Sequence, residues 1–472
     1  MNHSNAMTRR HLLCDTALGL GTAALATLLA QDGRAEGLSD TKDLLPRAGQ
    51  LAAHAKSVIL LFQNGGPSQM DLFDPKPELT RRHGEMVSIQ NAMAGNSEAL
   101  MASPFKFARR GQSGIEFSEL LPYMGEQADR LCVVRSMFHE DPNHPGGTYM
   151  LCSGNRRPGR PSVGSWVIYG LGSENQNLPA FVCLRDPAVF HSGGSMQVTN
   201  GWLPSLFRGA ELRTEGDPVL NLKRATPQPP GTQESSLRLL SRLNEHHRRN
   251  FPHESELEAR VRNYELASRM QLAAASELDL SGESQATQKL YGMDDATTAS
   301  YGRQCLMARR LVERGVRFVQ ILAPPPHNSW DHHGEINSKL PALSRQVDRP
   351  SAALIADLAQ RGLLESTIVL WVGEFGRMPI SQGGTGRDHN PHGFTAILAG
   401  GGFKSGHIHG ATDELGYKAV EGRVSVPDLH ATLLQQLGIN HSRLTYPHHG
   451  RDESLTDPEV TGARVVEEIL SI

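Results

Sequence analysis

The sequence predicts an α/β fold, a mainly parallel sheet flanked by helices, and three features carry that expectation. Apolar runs of strand length recur along the chain, and the run 367–372 (TIVLWV) is uninterrupted, as burial on both faces of a parallel sheet requires. Segments with helical spacing of apolar residues alternate with these runs. Polar clusters follow the runs abruptly: after Val372 come Glu374, Arg377, Arg387, Asp388 and His389, interleaved with glycines that let the backbone bend sharply. In open α/β sheets ligands bind outside the carboxyl ends of the strands, where these clusters fall.

The amino terminus reads as an address. Arg9-Arg10 leads into a weakly hydrophobic, Gly/Ala-rich run from Thr16 to Ala30, and Gly33-Arg34-Ala35 supplies small residues before Glu36. These are marks of a twin-arginine (Tat) export signal over residues 1–35, which directs the protein to the periplasm or the cell exterior. The run is too short and glycine-rich for a comfortable membrane span, so the signal is either cleaved or retained as an anchor. Residues 36–55 read as a linker, and residues 56–472 as one large α/β domain carrying an insertion.

Composition excludes several classes. A net charge of -3 and an aromatic content of 6% leave neither a basic patch nor a stacking platform for nucleic acid. The five cysteines are scattered without CxxC spacing, which gives no zinc or disulfide framework. The 21 histidines are more informative, because many sit beside Asp, Asn or Gly, as in HEDPNHPGG, WDHHGE and GRDHNPHG.

Taken in order, Lys56 to Phe62 gives the first buried strand, opening into Gln63-Asn64-Gly65-Gly66 and on to Asp71. Residues 117–130 suggest a helix, and Leu131 to Met137 a strand. Pro145 near a helix start and Gly154 at its end bracket a short helix whose amino end faces the polar cluster around His144. Ala180 to Leu184 is a strand within a long Gly/Pro/Asn-rich connection. From about 235 to 290, charged residues between apolar positions predict amphipathic helices forming the insertion, where His246 and His247 read as solvated rather than as ligands. A helix from Tyr301 to Arg314 precedes the strand from Val316 to Leu322, which leads to Asp331-His332-His333. A helix over 350–361, strands over 367–372 and 395–398, and a helix over 427–437 complete the alternation.

QNGGPSQMDLFDPKP, WDHHGE, VLWVGEFGRMP, GRDHNPHGF and AGGGFKSGHIHGATDE together resemble the DUF1501 family of exported bacterial proteins, abundant in planctomycetes, across nearly the whole mature chain. The fold that this resemblance implies is that of the alkaline phosphatase and sulfatase superfamily. Its enzymes use Asp/His metal sites beside a nucleophile at a helix amino end. Carried over residue by residue, the resemblance implies a divalent metal ion (zinc, calcium or magnesium) held by Asp331, His333, Glu374, Asp388 and His389, approached by Asn64 or Asp71 from the first strand. His144 falls in the nucleophile's seat and is expected as base or nucleophile. Arg377 or Arg387 is expected to neutralise the substrate anion. Phe375 stands where relatives carry His or Asn, and no Cys-x-Pro-x-Arg sulfatase signature is present.

The expected function is therefore metal-dependent hydrolysis of phosphate or sulfate esters outside the cytoplasm, with sulfated or phosphorylated polysaccharide among the substrates. The alternative is a non-catalytic exported binding or assembly protein on a degenerate scaffold of the same fold.

Overall fold

The computed structural model describes residues 43–88, 98–186, 191–214, 229, 231–250, 259, 261–267, 269–270 and 278–471. The expected export signal, the first part of the expected linker and part of the expected insertion lie outside the described residues. From 43 to 55 the chain runs against the domain, with Arg47 N donating to Leu171 O at 2.9 Å and His54 N to Gln436 O at 2.9 Å.

The elements that position the site are, in chain order, β1 (Ser57–Phe62), β2 (Leu131–Phe138), α1 (His144–Ser153), α2 (Val163–Leu171), β3 (Phe181–Leu184), β4 (Ala210–Leu212), α3 (Thr232–Asn250), α4 (Ala299–Glu313), β5 (Phe318–Leu322), α5 (Ile336–Gln360), β6 (Thr367–Val372), β7 (Gly376–Gln382), β8 (Gly386–Asn390), β9 (Phe394–Ala399), β10 (His407–His409), β11 (Val424–Ser425) and α6 (Val426–Gln436). The central sheet runs β10-β2-β9-β6-β1-β5-β3-β4, with β11 joined to β2. β1 pairs in parallel with both β6 and β5, and β3 with both β5 and β4. β9 runs antiparallel between β6 and β2, so β2 regains the direction of β6. The chain is thus an α/β protein with a mainly parallel sheet.

Every residue of β1 and β6 is buried, as their continuous apolar runs demand. The core continues from these strands through α4 and α5. Because β1, β2, β5 and β6 point the same way, the segments that follow them meet at one edge.

Two local expectations are corrected, and one stretch without an expected element acquires one. Residues 117–130 hold the end of a strand (Ile115–Ser118), a short helix (Pro122–Glu126) and a 3-10 turn, since Pro122 starts a new helix rather than continuing one. The helix expected from 350 begins at Ile336 and runs through Pro341 and Pro350. The glycine-rich stretch after β6 is a buried hairpin, β7–β8, in which Arg377 faces His389.

Candidate metal centre

Four side chains converge at the carboxyl edge: His144, Asp331, His333 and His389. One potential ligand atom from each lies within 4.8 Å of all the others, the arrangement of a group that could hold a metal ion. His144 is the first residue of α1, just beyond β2; Asp331 and His333 follow β5; His389 sits on β8. Asp331 is the hub. Its Oδ1 lies 2.8 Å from His333 Nε2 and 3.1 Å from His389 Nε2, and its Oδ2 lies 3.1 Å from His144 Nε2. The His144 contact is an ion-pair distance without hydrogen-bond alignment, which leaves that nitrogen without a hydrogen-bond partner.

The three imidazoles are oriented from behind. His144 Nδ1 donates to Glu374 Oε1 at 2.6 Å, His389 Nδ1 donates to the Pro142 carbonyl at 2.7 Å, and His333 Nδ1 donates to the Gln382 side-chain carbonyl. Each acceptor oxygen fixes the Nδ1–H tautomer and turns Nε2 toward Asp331. Phe375, fully buried, packs its ring against His144 and His389, with centroids at 4.9 and 4.6 Å. The side chains of Asp331 and His333 are 26% and 38% exposed, so the group opens to solvent on their side.

Charge follows from these contacts. Burial raises the Asp331 carboxyl, but the three histidines and Arg377 outweigh it and hold the group far below the usual carboxylate range. Burial works against a charged His144, yet Asp331 and Glu374 overcome it and push the imidazole up to about 9. His333 is raised, mainly by its bond to Asp331. His389 is lowered, by burial first and by the neighbouring Arg377 and His144 charges. His333 Nε2 and His389 Nε2 lie 2.9 Å apart, and both also approach Asp331 Oδ1.

Several residues expected at the centre stand elsewhere. Glu374 lies behind His144: its two oxygens accept from Gly65 N at 2.9 and 3.0 Å, and it is fully buried. Gly65 has φ +114°, and a Cβ there would come within 2.6 Å of Trp330 N, so only glycine brings its amide to Glu374. Asp388, next to His389 on β8, belongs to the opposite face of the strand, and its Oδ1 accepts from His389 N at 2.8 Å. Asp71 is bound by Arg387 through two contacts of 2.7 and 3.1 Å, both residues fully inaccessible. Asn64 is buried outside the four-residue group; its carbonyl accepts from Trp330 N at 3.1 Å, and its side-chain amide has no hydrogen-bond partner.

The two arginines are also reassigned. Arg387 spends its remaining donors on the Met378 and Met101 carbonyls. Arg377 bonds the carbonyls of Gly65, Gly66, Arg387 and Trp330 and reaches Asp331 Oδ1 at 2.7 Å. With 1% exposure it is placed to orient Asp331 and offers almost no surface to solvent. Gln382 was missed by sequence reasoning and Phe375 was noted there only as a departure from the expected His or Asn, since neither residue type signals a role in holding a histidine. His246 and His247 are exposed on α3, outside the group.

A family described as "Protein of unknown function (DUF1501)" matches residues 55–470. No curated protein matches the chain. Among solved structures, a sulfatase from Pseudoalteromonas sp. is similar at 12% identity and a TM-score of 0.35, over 89% of this chain and 70% of that one. A phosphonate monoester hydrolase from Silicibacter pomeroyi is similar at 13% identity and a TM-score of 0.32, over 73% and 72%. Alkaline phosphatase from the Antarctic bacterium TAB5 is similar at 11% identity and a TM-score of 0.31, over 81% and 98%. Likeness at these scores leaves the chemistry to be argued from the residues themselves.

Proposed function

The chain belongs to the DUF1501 family, and from the geometry of its centre we propose that it is a metal-dependent hydrolase of phosphate or sulfate esters acting outside the cytoplasm. One observation carries this reading: three imidazoles, each locked at Nδ1 on an acceptor oxygen, turn Nε2 toward a single carboxylate. Metal-binding histidines are held in this way, with the far ring nitrogen donating to an oxygen. Asp331, His333 and His389 would be the ligands. Nitrogen-rich donors of this kind favour zinc or a similar transition ion over calcium or magnesium, which take oxygen ligands.

When bound, the ion would supply Lewis-acid polarisation of an ester oxygen. The remaining work falls to the protein. His144 Nε2 faces the centre; in the chain without metal its imidazole is held up to about 9, so the neutral form that would accept a proton from the attacking water, and return it to the leaving alcohol, grows as pH rises towards 9. Glu374, anchored by Gly65 N–H, holds the His144 tautomer and stabilises the imidazolium. Phe375 keeps water from the inner side of the two rings. The expected substrates are anionic esters, including sulfated or phosphorylated polysaccharide, met after export through the Tat pathway to the periplasm or beyond.

The test is hydrolysis of aryl phosphate and aryl sulfate by the purified chain loaded with zinc. His144→Gln should lower kcat while the metal stays bound. A second reading rests on the same four residues: with His144 Nε2 also a ligand, four protein donors would close the coordination sphere, the pattern of structural rather than catalytic zinc. Bound metal without turnover of either ester class supports that reading, a binding or assembly protein.

A further inference from the structure

A second cavity shares α1 with the centre. Its volume is about 600 Å³, and it lies at the carboxyl ends of β3 and β5, bounded by Pro145 and Tyr149 of α1 and by the turn from Gly194 to Val198. Ligand pockets commonly have about this volume, ~300–1,000 Å³. His144, the first residue of α1, stands in the centre; Pro145, the next residue, lines the cavity. A ligand held in the cavity is therefore carried on the same helix end as the proposed base.

The wall is more apolar than polar, and it carries no excess charge. Arg185 and Glu211 face each other at 2.7 Å, cancelling at the rim. His191 is 2% exposed, and neither of its ring nitrogens has a hydrogen-bond partner among the described residues. Burial is the main cause that pushes this imidazole down to about 4, assisted by the His327 and Arg185 charges, so it is neutral near pH 7. A neutral imidazole offers one donor and one acceptor, the combination that a hydroxyl returns. Ser192 and Gln197, also in the wall, are held within the protein: Gln197 donates to the Ser192 carbonyl at 2.7 Å and accepts from Gln320 Nε2 at 2.8 Å, and Ser192 Oγ accepts from Asn328 Nδ2 at 2.9 Å and keeps its own proton to donate.

We propose that this cavity binds the uncharged, hydroxyl-rich alcohol portion of the ester, a sugar-like ring, and that His191 is a specificity-determining residue for it. The inference rests on the hydrolase reading for what is done to the ligand, but not for the binding itself. A buried histidine that bonds nothing among the described residues costs stability, and a retained cost of this kind is explained by a ligand that completes its hydrogen bonds.

The experiment is saturation-transfer NMR on the full chain with neutral methyl glycosides of glucose, galactose, mannose and fucose. At least one should bind saturably. His191→Phe should weaken it tenfold or more with an unchanged or higher Tm, because no protein hydrogen bond is broken. His191→Gln, which keeps a donor and an acceptor, should retain binding. If the Phe variant fails to fold, a crystal of the native chain soaked in the glycoside decides: the sugar should lie within hydrogen-bond distance of His191. Failure of all four glycosides to saturate, equal binding by His191→Phe, or a soaked sugar elsewhere overturns the proposal. Glycoside binding by a chain that takes up no metal would leave this inference standing and remove the hydrolase reading.

Discussion

The Nδ1 proton of His144 rests on Glu374 Oε1 at 2.6 Å, joining residues 230 positions apart. That contact decides the order of the site: Glu374 stands behind the histidine and does not reach the other three members of the cluster. Glu374→Gln keeps an oxygen for His144 but also presents an amide donor to Gly65 N–H. Metal content should stay near native while turnover falls, by about 10²–10⁴-fold if His144 acts as the base. Isothermal titration with zinc beside ester hydrolysis checks both, and loss of metal with turnover would return Glu374 to the ligand set.

Gln382 holds His333 from the solvent side. Gln382→Ala should weaken zinc binding by about 10- to 100-fold, the usual effect of removing a group that orients a ligand. Competition against a chromogenic chelator reads the change directly. Unaltered affinity would mean that His333 needs no such support.

Arg387 and Asp71 form a buried pair across 316 positions. Arg387→Leu leaves the buried Asp71 carboxylate without its cation, with the Ser68 hydroxyl still donating to it, and should cost about 3–5 kcal/mol of stability. Adding Asp71→Leu should recover part of that loss. Urea unfolding of the single and double variants measures both, and a neutral single variant would show that the pair is not buried as described.

Much of the scaffold was legible because a strand buried on both faces writes itself as an apolar run. β6 has the bounds its sequence suggests, and β1, β2 and β5 differ from theirs by only one or two residues. The β7–β8 hairpin was not legible. Its charges are buried only because Arg377 and Arg387 find carbonyls and Asp71 more than 300 positions away, which no local pattern reports. The start of α5 was hidden by Pro341 and Pro350, which the helix tolerates. Within the site, residue type pointed to Asp331, His333 and His389. Whether Glu374 or His144 stands in front depends on the backbone at Gly65, and that is a property of the folded chain.

Stability of the chelator-treated protein should depend on pH through His144. Its folded pKa, about 9, lies above the unperturbed 6.5, so between those values the native state holds a proton that the unfolded chain has released. The contribution is complete below pH 6.5 and is lost as pH rises through about 9. His144→Gln should remove this slope. Thermal melts from pH 6 to 10 follow it, and an identical slope in the variant would assign the dependence to another group.

The most direct test of the centre is metal stoichiometry. Purified chain equilibrated with equal zinc, calcium and magnesium and then desalted should carry one zinc per chain by inductively coupled plasma mass spectrometry. Asp331→Asn and His333→Ala should each carry far less, while Asp388→Asn and Asp71→Asn, if folded, should carry as much as the native chain. No retained metal in the native protein, or equal retention in Asp331→Asn, would contradict a metal centre built on Asp331.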